Sequence, residues 1–593
     1  MSRSTEADLM VSTRPIPPAP PQDRKRRNPA DLLICSGFAL FALWLTIGLW
    51  PHPDTRTLAL NPADQVLVEW FLSYGGRFWN GDFSLISDRL NAPDGINMLV
   101  NAATVGLGVI FAPITKIFGV ATTFAVLMSL NLALTAIGWY LLFAKTFRVA
   151  RFSAAVGAFF CGFAPGMVSQ ANSHLHMTAQ WLVPPMIWCV VTLARLATRR
   201  DTAWRIIGTG AAFGLLVAAQ VFIGEETLFL TALTLAIVTV AYLAWRRPPL
   251  IHFARFSAGL LTAVAVSIPL LAYPLWVQFK GPQSVPNGVF SPDYFIADLA
   301  SFVAISPLSL FGSAEATRLS TGPAEYNTFF GWPLVLLFAV LTIWLSREAI
   351  AVACALAALA LAALSLGPMI VVNRQPTGLE GPYQMLKGVP VIDGALPLRF
   401  ALAAIPLVAV LLVLGLEKAR QSSLPSIFWG VPAAVVLALI PILPAQLPTT
   451  DRAAVPAFYA EGHWRQCASD GDVIVPVPVA TPGQPEPMRF AADQNVAFGM
   501  PEGFFIGPYG RYGRATIGTW KRPTSALLAE VAKTGKEPLV DNNMRAQAKV
   551  DLTRWKAKCV VLTEHPHHDA LLHTLEALLG PGKPVSDAVI WRL

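Results

Sequence analysis

Residues 103–120 read ATVGLGVIFAPITKIFGV, and whether this apolar stretch crosses a membrane decides the arrangement of everything around it. It is long enough to do so, since a spanning helix takes roughly 17 to 25 residues. Counting it as a span, however, puts three basic clusters in succession on the outer face: Lys145/Arg148/Arg151, Arg195/Arg199/Arg200/Arg205 and Arg246/Arg247/Arg255. Cytoplasmic loops normally carry the excess of Lys and Arg. Gly106, Gly108, Pro113 and Lys116 also interrupt the run. The stretch is therefore predicted to enter the interface and return to the outer side.

With that assignment the chain reads as a polytopic membrane protein of about eleven spans, near 32–50, 121–144, 152–169, 179–198, 206–223, 227–245, 256–276, 330–346, 349–371, 399–416 and 426–446. The fold class is mostly α, a transmembrane helix bundle, with a C-terminal extracytoplasmic α/β domain. Of 593 residues, 54% are hydrophobic and 13% charged, which excludes an ordinary soluble globule. The net charge of +8 lies in short clusters between apolar runs, a topology signal with no implied nucleic-acid partner. The expected organisation is a disordered, proline-rich cytoplasmic tail over 1–30, a transmembrane domain over 31–446 with a large first outer loop at 51–120, and an outer domain over 447–593. The expected location is the plasma (inner) membrane, multi-pass, with the N-terminus cytoplasmic. Asn131 and Gln220 are neutral and no span carries an ionisable group near its middle, which argues against an ion-coupled transporter.

The long outer loops are where a site would be built. Asn61-Pro62-Ala63-Asp64 reads as a helix start, with Asn61 as N-cap and Pro62 at the first helical position. From Gln65 to Trp79 a polar stripe of Gln65, Glu69, Ser73 and Arg77 runs through apolar residues including Trp70, Phe71 and Tyr74, the pattern of a helix lying in the membrane interface. Asp64 can serve simply to complement the helix dipole, or act as a base on a hydroxyl. His174 and His176, two residues apart on the second loop, fit either hydrogen-bonded loop histidines or ligands of a metal or phosphate. Glu225 and Glu226 fit either a polar helix cap or a set of acceptors for substrate hydroxyls. Arg374 and Arg399 either snorkel to headgroups or pair with a lipid phosphate.

Several motifs together, Asn61-Pro62-Ala63-Asp64-Gln65, Asn91-Ala92-Pro93-Asp94-Gly95-Ile96-Asn97, Ala164-Pro165-Gly166-Met167-Val168-Ser169 and Pro501-Glu502-Gly503 with Gly507-Pro508, resemble a group of bacterial membrane proteins placed near the GT-C superfamily of glycosyltransferases. The resemblance implies a polyprenyl-phosphate sugar donor, a cell-envelope glycan or lipid acceptor, contact with membrane lipids, and a first-loop acid as base, for which Asp64 is the matching position. Glu69, His174, His176, Glu225, Glu226, Arg374 and Arg399 are the candidate substrate-binding residues. The first loop has no adjacent Asp-Asp pair, which is a departure from the family pattern. No cofactor is certain, no metal ligand set is announced, and a divalent cation is left open. The rival reading is a non-enzymatic lipid or polysaccharide export or binding component.

From Leu447 onward, short apolar strands (472–477, 559–562 and 588–593) alternate with helical patterns (524–532 and 569–579), as in a small α/β domain. No nucleotide-binding glycine fingerprint occurs there. Cys35, Cys161, Cys189 and Cys354 fall in apolar spans, where a thiol behaves as a small hydrophobe. Only Cys467 and Cys559 lie in a compartment that permits oxidation, where they fit either a disulfide, the reading taken here, or two buried free thiols.

Overall fold

The computed structural model describes residues 29–593 except 102–103, 200–202, 248, 286–289, 390–391 and 393–394. The expected tail at 1–30 therefore lies outside the described residues apart from Pro29 and Ala30, which already belong to the first helix. The helices up to the tail domain are α1 (Pro29–Leu45), α2 (Pro62–Gly75), α3 (Val105–Phe118), α4 (Val120–Leu141), α5 (Arg151–Phe163), α6 (Pro165–Gln170), α7 (Leu175–Thr178), α8 (Val183–Ala197), α9 (Ala203–Val221), α10 (Glu225–Arg246), α11 (Leu250–Lys280), α12 (Trp332–Trp344), α13 (Ala349–Ser365), α14 (Phe400–Arg420) and α15 (Pro425–Leu439).

Among the described residues, eight helical segments are long and apolar enough to cross a membrane: Val120–Thr146, Arg151–Gln170, Leu175–Ala197, Ala203–Val221, Glu225–Arg246, Leu250–Lys280, Pro397–Arg420 and Pro425–Ile442. This is a multi-pass membrane protein. Three shorter apolar helices, α1, α12 and α13, stand where the sequence predicts the other spans, and they pack on α4, on α14 and α15, and on α10 and α14 respectively. The predicted span 349–371 is shorter than expected, because its end becomes a strand, Met369–Val372, paired with Gln375–Glu380. α3, a fourth shorter apolar helix, has 14 residues, one more than α12, so its length alone does not set it apart from the helices at predicted spans. It packs against α2 with the backbones nearly touching: a Cβ on Gly75 would stand 2.3 Å from the carbonyl carbon of Gly108. Gly119, at φ +83°, turns the chain from α3 into α4.

The polar stripe of α2 departs from expectation. It meets the tail rather than water: Ser73 Oγ donates to the Ala492 carbonyl at 2.6 Å, Arg77 Nη1 to that of Val496 at 3.2 Å, and Arg452 grips Glu69. Trp70, Phe71 and Tyr74 are buried in protein. The helix is enclosed between α3, α4 and the tail helix Pro487–Asp493, because a polar stripe with complementary donors is better satisfied by protein than by the interface.

The tail holds a four-stranded mixed sheet in the order Lys583–Val585, Ala588–Arg592, Ala557–Leu562, Val473–Val477, the last two being parallel. Successive side chains of a strand alternate between faces, and both faces here are covered. Ile474, Cys559 and Val561 join the apolar core that continues into the helix bundle. Val475, Val477, Val560 and Leu562 pack beneath the helices Pro523–Thr534, Asn542–Trp555 and His568–Leu579. Two of the sequence motifs meet across the junction: Asn91 N donates to the Glu502 carbonyl and Ala92 N to that of Met500, each at 3.0 Å.

Candidate active site

Asn61 occupies the N-cap position of α2 and Pro62 the first turn. The Asn61 side chain caps nothing; its Nδ2 donates to Asp64 Oδ2 at 2.7 Å and to the Asn172 carbonyl at 3.1 Å. The first outer loop is thereby tied to the second, a link reinforced by Ser173 Oγ donating to the Asn61 carbonyl at 2.8 Å. His174 Nε2 lies 3.1 Å from Asp64 Oδ2, and His174 Nδ1 lies 2.7 Å from Gln170 Oε1. Because Gln170 Nε2 donates to Asn327 Oδ1 at 2.8 Å, its Oε1 is an acceptor and His174 Nδ1 is the donor. The hydrogen bond on the other ring nitrogen then requires a proton held between His174 Nε2 and Asp64 Oδ2. Oδ1 of Asp64 takes no hydrogen bond among the described residues, and the side chain is 27% exposed. Burial pushes the Asp64 carboxyl up, but the bond to His174, its charge and the bond from Asn61 outweigh this and hold it below the usual carboxylate range.

The polar chain continues away from Asp64. Asn327 Nδ2 donates to Glu325 Oε2 at 2.9 Å, Arg399 Nε donates to Glu325 Oε1 at 3.0 Å, and Arg399 Nη1 donates to Glu226 Oε2 at 2.5 Å. Arg399 is 8% exposed and Glu325 6%, so this is a buried cation shared by two carboxylates. Two buried acceptors, Glu226 Oε1 and Asn172 Oδ1, have no donor among the described residues. Buried polar atoms in that state are uncommon and are suited to accept from the hydroxyls of a ligand.

The expected residues divide on this geometry. Asp64, His174, Glu226 and Arg399 belong to one hydrogen-bonded chain, and the His176 ring lies beside that of His174 with centroids 5.4 Å apart. Glu225 turns away and accepts from Gln278 of α11 at 2.6 Å. Glu69 does not face the site: it is 1% exposed and accepts from Gln65 and from both Arg452 Nη atoms at 2.8–2.9 Å. Its role is to hold the first loop to the tail, since a buried carboxylate needs paired donors. Arg374 is exposed on the turn between strands Met369–Val372 and Gln375–Glu380, where the Asp298 carboxylate accepts from the backbone N–H groups of Asn373 and Arg374. Arg399 reaches no free surface for a phosphate, its charge being taken up by Glu226 and Glu325. Cys467 and Cys559 are joined in a disulfide, Cα atoms 5.8 Å apart. Sequence reasoning did not single out Gln170, Asn172, Glu325 or Asn327 as site residues. The available signal was a carboxylate and an amide in the outer loop 277–329, which a buried Arg399 would need.

Among the described residues no three His, Cys, Asp or Glu side chains converge as a metal cage. Asp64 and His174 are bonded to each other.

No protein-family model and no curated protein matches the sequence. Solved structures do match. The arabinofuranosyltransferase AftD from Mycobacteria superposes with a TM-score of 0.50 at 15% identity, over 94% of this chain and 39% of that one; a mutant form of it gives 0.53 at 14% identity, over 94% and 41%. This chain thus spans about two fifths of AftD. The oligosaccharyltransferase AglB from Archaeoglobus fulgidus gives 0.49 at 13% identity over 95% and 74%, and ArnT from Cupriavidus metallidurans 0.45 at 14% over 95% and 97%. On the AftD superpositions, over nearly its whole length, the chain has the fold of the GT-C membrane glycosyltransferases.

Proposed function

We propose that this protein transfers a sugar from a polyprenyl-phosphate donor to a cell-envelope glycan or lipid on the extracytoplasmic face of the plasma (inner) membrane, with its N-terminus cytoplasmic and residues 447–593 outside. The observation that carries the reading is the environment of Asp64: one carboxylate oxygen bonded to His174 and Asn61, the other unengaged, at the head of a buried helix in a GT-C fold. Asp64 Oδ1 accepts the proton of the acceptor hydroxyl. The hydroxyl oxygen bonds to the anomeric carbon as the bond from that carbon to the phosphate oxygen breaks, and the electron pair leaves with polyprenyl phosphate. His174 keeps the second oxygen of Asp64 in place. Glu226 Oε1 and Asn172 Oδ1 take sugar hydroxyls, with His176 alongside. The Arg374 guanidinium, exposed and with no ion pair among the described residues, is the outer-face cation left to receive the leaving phosphate, because Arg399 is already neutralised. A single carboxylate base favours inversion at the anomeric carbon.

Asp64→Asn keeps an acceptor for Asn61 but cannot take a proton. Transfer should fall by roughly 10²–10⁴-fold, the usual worth of a positioned general base. Mass spectrometry of co-purifying lipids should show unused polyprenyl-phosphate sugar accumulating on the variant. Identical lipids together with unchanged envelope glycans would refute the base and favour a non-enzymatic lipid or polysaccharide export component.

A further inference from the structure

A cleft of about 1150 Å³ opens on the tail, between one end of the four-stranded sheet and the first-loop turn at Ala92 and Pro93. Five exposed cations line it: Lys549 from the helix Asn542–Trp555, Lys556 just after that helix, Lys558 from the strand Ala557–Leu562, and Lys583 and Arg592 from the two neighbouring strands. Lys583 lies opposite Ile590, and Arg592 is two residues further along the same strand, so both project from one face. Among the described residues none of the five has a carboxylate within ion-pair distance. The two acidic side chains in the lining are engaged locally, Asp88 with Arg89 at 3.4 Å and Asp472 with the Ser469 N–H at 2.8 Å.

This clustering is not a bulk property of the domain. From residue 447 onward the chain has sixteen Lys and Arg against fifteen Asp and Glu, a near balance from which a five-to-two excess in one concavity stands apart. Lys556 alone is explained by its place at a helix C-terminus, where a cation suits the dipole; the other four are not. Unpaired cations around a concavity focus a positive potential and attract a ligand with several negative charges.

We infer that this cleft binds an acidic glycan chain, one carrying repeated carboxylates. A concave groove suits an extended polymer that can lie along it, whereas a bilayer would present a plane of charge.

The test uses the full chain in detergent with a fluorescent oligogalacturonate of about ten units as probe, its affinity compared at about 50 and 200 mM salt, where screening should weaken a multivalent ion contact. The triple variant Lys556→Gln/Lys558→Gln/Lys583→Gln should lose at least about tenfold in affinity. A charge-matched control outside the cleft, Lys521→Gln/Lys533→Gln/Lys536→Gln, should change less than about twofold, which separates the site from overall charge. Equal losses in the two variants, no oligogalacturonate binding, equal binding of a neutral dextran oligomer, or tighter binding of phosphatidylglycerol vesicles than of the oligomer would each overturn it. Asp64→Asn should bind the probe like the natural protein, so a failure of the transferase reading and a failure of the cleft show up in different measurements.

Discussion

Replacing Arg452 with methionine would cut the clamp that holds the tail to the first outer loop. The Arg452 and Glu69 side chains are 4% and 1% exposed, and the guanidinium meets both carboxylate oxygens at 2.8 and 2.9 Å. It also donates to the carbonyls of Pro53 and Asp54 at 3.1 and 3.2 Å. Removing one partner of a buried ion pair costs about 3–5 kcal/mol, because the remaining charge stays buried without compensation. Arg489, 3.9 Å from Glu69, offers partial relief, so the lower end, about 3 kcal/mol, is expected. The adjoining strand pair Arg56–Leu58 with Thr449–Asp451 is the place to read it. Opening there should become about a hundredfold more frequent, seen as faster amide exchange of residues 449–451 in the detergent-solubilised protein. The double variant Arg452→Met/Glu69→Leu should recover part of the loss, since replacing both charges with apolar groups removes the desolvation cost. Exchange accelerated by less than about fivefold, or a double variant as damaged as the single, would refute the reasoning.

The pH profile of transfer should keep its acid limb below about 3.9, the ordinary carboxylate value. A carboxyl depressed on folding stays charged above that value and loses its contribution only as pH falls through the lower folded one; an acid limb at pH 5–7 would count against Asp64 as base. Glu502 has the opposite sign: burial, opposed by bonds from Ser525 and the Arg522 N–H, raises its carboxyl, so its cost to stability grows as pH rises past about 4.3. Glu502→Gln should flatten that loss in thermal unfolding between pH 4 and 7. Reduction of the Cys467–Cys559 bridge, which closes a loop of 92 residues, should cost about 4–5 kcal/mol in the chain-entropy account; non-reducing peptide maps showing both thiols free would remove the premise. With the four free cysteines changed to alanine, Thr377→Cys should label from outside intact cells and Ser346→Cys only after permeabilisation, both positions being exposed; the reverse pattern would invert the proposed orientation.

The helices were legible because their signal is local. Apolar run length marked the long helices, and the helix Val105–Phe118 lies within the run read at 103–120. The tail strands 473–477, 557–562 and 588–592 were legible from short apolar runs between turn signals. What the sequence withheld was partnership across long separations. The stripe Gln65/Glu69/Ser73/Arg77 looked wet because nothing near it in sequence supplies donors, yet Arg452 lies nearly four hundred residues away. Glu225 and Glu226 are indistinguishable as neighbours, but successive residues on a helix point about 100° apart, so one meets Arg399 and the other Gln278. Glu325 and Asn327 sit in a loop with no periodicity to mark them.

The hydrogen-bonded chain from Asp64 to Glu226 draws on residues 64, 170–174, 226, 325–327 and 399, five separate stretches of a sequence that enters the membrane from its N-terminal end. Until α14 is threaded, Glu226 and Glu325 have no Arg399 between them and stand as two uncompensated carboxylates near one another. Only a chain that has Glu325 but not yet Arg399 carries the pair without the cation that joins it. Arg399 thus ties together two stretches about a hundred residues apart, and a variant without its charge leaves both carboxylates uncompensated at once.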